Sequence, residues 1–246
     1  MFVIELGRIE QYIKEIDASE HVEDVCAAIH RHIEPQGFEK FSYMLTLPPQ
    51  GARRPLYITN YPAEWTQRYV EKHYISEDLV SRFAASTLRP FLWHSIAQHY
   101  DLTQTQKQVF HEAGDFRLRS GGAVPIHGPG AAKASFAVAN DMPEDQFAAL
   151  FKSQRHELHL VATYAHERMM QIGLNDQPPI APKLTSREIE VMTWSSRGKT
   201  AWETAEILNL SEETVRDHIK HACRKLNTSN KTHAIAVALL YGLIVP

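Results

Sequence analysis

The stretch LTSREIEVMTWSSRGKTAWETAEILNLSEETVRDHIKHACRKLNTSNKTHAIAVALLYGLI, from Leu184 to Ile244, decides the reading of this chain. It resolves into four short helices with their start and stop signals in place. Thr185 and Glu188 form a capping box, in which hydroxyl and carboxylate each satisfy an orphan amide at a helix start. Ile189, Met192 and Thr193 then face inward, and Gly198 stops the helix because it can take the left-handed conformation. Thr200 and Glu203 repeat the box, and the second helix runs to Leu208. Asn209-Leu210-Ser211 is a turn, with Ser211 as the next N-cap and Glu212 and Glu213 in the first turn, where the helix dipole favours negative charge.

The third helix places Val215, Ile219, Ala222 and Leu226 at three- and four-residue steps, one apolar stripe. Arg216, Asp217, Lys220 and Arg224 lie on the other side. Asn230-Lys231-Thr232 opens a fourth, mostly apolar helix that ends near Gly242. Two helices joined by a short turn, the second exposing basic residues near its start, match helix-turn-helix geometry, whose second helix enters the DNA major groove. Periodicity alone fits a solvated charged face on an ordinary bundle equally well.

A resemblance separates the two. L-T-x-R-E-x-E-V, W-x-x-x-G-K-T, E-I-L-x-L-S-E-x-T-V-x-x-H, K-L-N-x-x-N-K and G-L-I together resemble the DNA-binding domain of LuxR-type regulators, with Met192 where that family usually has Leu. The resemblance implies that Arg216, Asp217 and Lys220 reach base edges. It implies phosphate contacts from Lys199, Thr200, Thr214, Arg224, Lys225 and Lys231, which set position and affinity where base contacts set specificity. His218 is expected to support the domain from within.

Upstream, Gly173 to Ala181 followed by Pro182 has three prolines within five residues, which prevents a helix and reads as a linker over residues 173–183. It separates a sensor domain at 1–172 from the DNA-binding domain at 184–246. Glu144 to Gln171 reads as one long helix with Phe147, Leu150, Phe151, Leu158 and Met170 inward, and Val22 to Ile33 has helical spacing. Phe41–Leu47 and Leu56–Thr59 read as strands; Gly122–Ile126, the turn at His127-Gly128-Pro129-Gly130 and Ala134–Ala139 read as a hairpin. The fold class is therefore α+β: an N-terminal α-β-α sandwich around an antiparallel sheet, plus a C-terminal all-α four-helix domain.

The middle of the sensor region is rich in aromatics. Trp65 and Tyr69 are four apart and share a helix face, and Asp78 follows. Taken alone, this is a large aromatic core with an acid beside it. The pattern N-Y-P-x-x-W-x-x-x-Y, then Asp78, P-F-x-W at Pro90 to Trp93 and R-S-G at Arg119 to Gly121 resembles the autoinducer-binding domain of the same family, so the resemblance covers nearly the full chain. It implies an acyl-homoserine lactone as ligand, with no cofactor and no metal. The Trp65 indole would donate to the lactone carbonyl, Asp78 accept from the amide, and Tyr61 donate to the acyl carbonyl, with Tyr69 and Trp93 as walls. Two positions depart from the family. Leu79 replaces the usual Pro after the acid, and Ala137 stands where relatives often carry Ser or Thr near the acyl carbonyl. Ser135, on the same strand face, is the candidate to compensate. A preference for an unsubstituted, branched or aromatic acyl group over a 3-oxo one is the expectation.

Composition sets the remaining bounds. The 246-residue chain has a net charge of −3, which argues against a nonspecific nucleic-acid coat. From Leu184 on there are eight Lys/Arg against seven Asp/Glu, which leaves 18 of the 26 and 22 of the 29 to the rest, so the DNA end is the less acidic part. Cys26 and Cys223 have no metal spacing and read as buried free thiols in a reducing cytoplasm. No signal peptide and no membrane-length apolar run are evident.

The DNA-binding geometry implies a homodimer on promoter DNA, since two recognition helices about one helical turn apart read a two-fold symmetric site; the long helix and the last helix are its expected surfaces, and RNA polymerase is an expected partner. Ligand would act by filling a costly hole in the sensor and so stabilise its folded state. A LuxR-like regulator answering a non-lactone signal, or a phosphorylated receiver, is the alternative, although the acid cluster of a receiver is not found. An enzyme such as a lactone hydrolase is not expected, since nucleophile elbow, paired metal histidines and a Cys-His pattern are missing. The pair His156 and His159 reads as surface.

Overall fold

The computed structural model describes residues 2–47, 57–98, 100–128, 133–173 and 183–246, which divide into two compact units, the second being 183–246. The first unit opens with α1 (Phe2–Asp17) and α2 (Val22–Ile33), then β1 (Lys40–Leu47) and β2 (Tyr57–Thr59). Next come α3 (Ala63–Glu71), α4 (Leu79–Ala84), β3 (Phe91–Leu92) and α5 (Gln104–Asp115). The unit closes with β4 (Ser120–His127), β5 (Lys133–Asn140) and the 30-residue α6 (Glu144–Gly173). The strands form one antiparallel sheet in the order β2-β1-β5-β4-β3, with an irregularity in β1 between Leu45 and Leu47. This is the α+β sandwich read from the sequence.

Alternation along the strands explains the layers, because successive side chains point to opposite faces. Phe41, Tyr43 and Leu45 of β1 and Phe136 and Val138 of β5 enter a core shared with α1, α2 and α6. Ser42, Met44, Ser135 and Ala137 point to the other face, towards α3, α4 and α5. Two adjacent glycines on β4 let both layers close. A Cβ on Gly122 would lie 2.6 Å from the Phe151 ring of α6, and one on Gly121 would lie 2.5 Å from the Trp93 ring on the opposite face.

Four elements were not anticipated, one of them the six-residue α4 that Asp78 caps. The N-terminal segment, read only for the lack of a signal, is α1; Ile9, Tyr12 and Ile16 are buried at helical spacing. α5 carries a capping box at Thr103 and Gln106, and β3 is two residues long. The proline-rich linker lies largely outside the described residues, as do Leu56 of the second predicted strand and Pro129 and Gly130 of the hairpin turn. In α6, Met169 is the fully buried methionine and Met170 is partly buried, while His156 and His159 are exposed.

Two buried histidines tie α6 to the rest. His32 of α2 bonds Glu157 at 2.9 Å, and Arg8 of α1 grips the same carboxylate through both Nε and Nη2. Burial holds the His32 pKa below its ordinary value. His166 Nδ1 meets the Tyr43 hydroxyl at 2.7 Å, and burial pushes its pKa down to about 4.

The second unit holds α7 (Ser186–Ser196), α8 (Ala201–Leu208), α9 (Glu212–Lys225) and α10 (Lys231–Leu240). Thr185, Thr200, Ser211 and Asn230 are its N-caps, each side chain accepting a backbone N–H. Gly198 takes φ 83° after α7 and Asn209 takes φ 53° after α8. Val215, Ala222 and Leu226 are buried as the stripe requires, and Ile219 is half-buried. In α7 the buried set is Glu188, Val191, Met192 and Ser195, with Ile189 and Thr193 only half-buried. The helix is therefore rotated slightly from the predicted face, because Val191 packs against Ala205 and Val215. Both cysteines are free and half-buried rather than fully buried, and burial raises the Cys26 thiol to about 11, which keeps it unreactive.

The depressed pKa of His166 has a consequence for pH. The unfolded chain takes up a proton near 6.5 and the folded chain only near 4. Stability is therefore full above pH 6.5 and falls as the pH drops towards 4, by up to about 3 kcal/mol from this group. Urea unfolding at pH 7 and pH 5 should show a loss that shrinks in His166→Gln; equal losses in parent and variant would refute the assignment.

Candidate functional site

In the first unit, a mostly apolar cavity of about 70 Å3 lies between the sheet and α3, α4 and α5. Tyr61, Trp65, Tyr69, Asp78, Trp93 and Ser135 all line it. The sequence reading missed Ser42, Met44, Tyr57, Ser81 and the α5 residues Val109, Phe110 and Ala113, which also line it.

Each polar member is held by its element. Asp78 is the N-cap of α4: Oδ1 accepts from Val80 N at 2.8 Å, and Oδ2 accepts from Ser81 Oγ at 2.8 Å and the Tyr69 hydroxyl at 3.0 Å. The acid is thus a structural cap as well as a wall. A carboxylate offers about four acceptor sites, so one is left for a further donor. Tyr69, predicted as a wall, is also the donor that fixes Asp78. Burial, then the neighbouring carboxylate, push its pKa far above the ordinary tyrosine value. Tyr61 accepts from Ser42 Oγ at 3.3 Å, which leaves its own proton to donate, and burial keeps that proton on. Burial raises Tyr57 to about 12.

Trp65 is buried one turn before Tyr69, with its ring against Phe116 at 5.6 Å and Tyr74 at 6.2 Å. Among the described residues its indole N–H has no hydrogen-bond partner, and neither has the Ser135 hydroxyl. The buried Trp93 Nε1 is likewise without a partner. Leu79, where the family has Pro, is a buried residue of the α4 core. Ala137 faces the cavity and is in register with Ser42, whereas Ser135 is in register with Met44.

Outside the cavity, the Arg68 guanidinium of α3 contacts Glu112 of α5. The other Glu112 oxygen accepts from Gln108 Nε2 at 2.6 Å. Arg68 first, with Gln108 and the Tyr74 hydroxyl, holds this carboxyl down to about 2 against the opposing effect of burial.

In the second unit, α9 exposes Arg216, Asp217, Lys220, Arg224 and Lys225, with Thr214 half-buried at its start. Arg216 pairs with Glu212 one turn earlier, at 2.5 Å, on the exposed face. Lys199 pairs with Glu203 at 3.0 Å, and Thr200 is engaged as the α8 cap. Lys225 donates to Glu188 at 2.7 Å, and only 4% of that acid's side chain is exposed. This pairing joins α9 to the cap of α7 and competes with a phosphate contact. Lys220, Arg224 and Lys231 have no ion pair among the described residues. His218 is half-buried.

Comparison with known proteins decides what these two sites belong to. Residues 21–169 match the family described as autoinducer binding domain, and residues 182–238 match bacterial regulatory proteins, luxR family. The chain belongs to the LuxR-type quorum-sensing transcriptional regulators. It is 31% identical over 248 residues to the transcriptional activator protein BjaR1 of Bradyrhizobium diazoefficiens, covering 100% of both chains. To the quorum sensing-dependent regulator RpaR of Rhodopseudomonas palustris it is 34% identical over 203 residues, 82% of this chain and 81% of that one. The structure of Escherichia coli SdiA has the same fold, with TM-score 0.66 and 24% identity over 98% of this chain and 99% of that chain. This LuxR-type chain is therefore a regulator with a signal-binding and a DNA-binding domain, and not an enzyme. Among the described residues no helix is long and apolar enough to cross a membrane.

The glycine under Trp93 gives a test of the cavity wall. Gly121→Ala drives a methyl into the ring and is expected to cost about 1–3 kcal/mol through overpacking. Gly114→Ala, in the last turn of α5 with nothing within 4 Å of the added Cβ, should instead stabilise by about 0.5–1 kcal/mol. Denaturant titrations of the two variants check the pair, and a neutral Gly121→Ala would contradict the close packing.

Proposed function

We propose that this regulator binds an N-acyl-homoserine lactone in the cavity and promoter DNA through α9, as a homodimer in the cytoplasm that engages RNA polymerase. Residues 1–172 are its sensor, 173–183 the linker and 184–246 the DNA-binding domain. The observation that carries the reading is the match of spare hydrogen-bonding groups to the ligand. A lactone amide and two carbonyls need one acceptor and two donors. Asp78 keeps an acceptor site, and the Trp65 indole and Tyr61 hydroxyl keep a donor each. Burial of a polar head then leaves little unpaired, as it must.

The register along β5 favours a plain acyl group. Tyr61 bonds Ser42, and Ser42 lies opposite Ala137, so the wall beside the acyl carbonyl is a methyl. Ser135 is two residues further along the strand, about 7 Å away. Calorimetric titration with matched plain, branched, aromatic and 3-oxo lactones should show the 3-oxo form binding more weakly. Tighter 3-oxo binding refutes the assignment of Ala137. Asp78→Ala should lower affinity by about 1.5–3 kcal/mol, the worth of a hydrogen bond to a charged group. A second reading, a non-lactone acyl signal, is favoured by the structure of SdiA in complex with octanoyl-rac-glycerol. A monoacylglycerol in the same titration separates the two.

On DNA, Arg216, Asp217 and Lys220 read base edges, and Arg216 must exchange Glu212 for its target. Thr200, Thr214, Lys199, Arg224 and Lys231 contact phosphate, while Lys225 chiefly supports the fold. Arg224→Met should reduce the slope of log affinity against log salt by about 1 and leave melting unchanged. Lys225→Met should lower the melting temperature of the DNA-binding domain with little effect on that slope. Reversed outcomes would return Lys225 to the phosphate set.

A further inference from the structure

We propose that Arg68 and Glu112 act as a latch that holds α3 closed over the cavity and so set how long a ligand stays bound. The proposal rests on the reading of the cavity as a ligand site. α3 is nine residues long, and the element it packs against most closely is the turn that follows it, Tyr74–Ser76. It reaches the rest of the unit through side chains. On its inner side are Trp65 and Tyr69, two of the six groups expected to meet the ligand; its outer side is open to solvent, with Val70 67% exposed.

Arg68 sits three residues after Trp65 and one before Tyr69. Its contact crosses from α3 to α5, which supplies Val109, Phe110 and Ala113 to the opposite wall. Glu112 is 8% exposed, and the same carboxylate accepts from Gln108 of α5. One buried acid thus joins two elements around the cavity, α3 and α5. The Arg68 side chain is 44% exposed, so the bond can open by swinging the arginine into water without unpacking the core. A surface pair of this kind contributes modestly on its own. Here it acts on a short helix with few other backbone neighbours, where a modest bias shifts the open population directly. Arg68 and Glu112 touch no cavity atom and are positioning residues for Trp65 and Tyr69.

The test uses the full chain and two readouts. Hydrogen–deuterium exchange without ligand is compared for amides 63–71 and for β4 and β5. Arg68→Met and Glu112→Gln should each speed exchange in α3 by about fivefold and leave the strands unchanged; Arg68→Lys, which keeps charge but not the planar fork, should fall between. Dissociation of N-octanoyl-homoserine lactone, or of whichever lactone in the panel the parent binds, should accelerate by a similar factor. Unchanged α3 exchange, or faster exchange spread evenly over the whole unit, overturns the latch. Should Glu112→Gln fail to fold, Arg68→Met decides. Failure of the parent to bind any lactone refutes the ligand assigned above, and the exchange comparison still decides the latch. Faster α3 exchange with unaltered lactone dissociation overturns its role in residence time.

Discussion

Everything in the sensor depends on how closely two aromatic rings approach one strand. At Gly121 and Gly122 the β4 backbone is bare on both faces, and Trp93 and Phe151 press onto it from opposite sides at distances no side-chain carbon could share. On the α6 side this contact completes a dry core. On the other side it sets the position of a cavity wall. Packing density in proteins leaves no slack to absorb an added methyl, so the same two residues that allow the sandwich to close also fix the depth of the cavity. Closure of the sandwich and shape of the cavity are therefore not separable along this strand.

Asp78 shows the same economy in polar chemistry. Its carboxylate starts α4 by capping Val80, aligns Tyr69 and takes the Ser81 hydroxyl, all at hydrogen-bonding distance. A group held by three donors does not reorganise to meet a fourth, and preorganisation of this sort reduces the entropy lost on binding. Removal of the acid uncaps a helix, an effect on the order of 1 kcal/mol.

Much of this was legible in the sequence, and the parts that were not have physical reasons. Helix caps are local, so Thr185 with Glu188, Thr200 with Glu203, and Ser211 marked α7, α8 and α9 correctly. The same device marks α5 at Thr103 and Gln106, and Ile9, Tyr12 and Ile16 trace the inner stripe of α1; both signals were present and unread. β3 had no signal, because a two-residue strand is defined by Ala123 and Gly122 opposite it and not by its own residues. Of the cavity, the residues in the aromatic motif were recoverable by resemblance. Met44, Tyr57 and the α5 set were not, since they reach the site only through strand register and helix packing. Lys225 shows the limit for charge: its neighbour Glu188 is 37 residues away in sequence, and no spacing rule connects them.

The unpaired polar groups of the cavity bear on the stability of the sensor. The Trp65 indole, the Ser135 hydroxyl and the Trp93 Nε1 have no protein partner among the described residues. A buried polar group left unpaired costs about 1–3 kcal/mol, more than a made bond returns in net stability. Of the three, Trp93 Nε1 is the fully buried one, so that single indole takes up a noticeable part of the margin of about 5–15 kcal/mol that a folded domain possesses. A partner that reached the Trp93 indole would relieve that penalty as well as adding its own contacts. Its effect on the folded population would therefore exceed what apolar contact alone contributes.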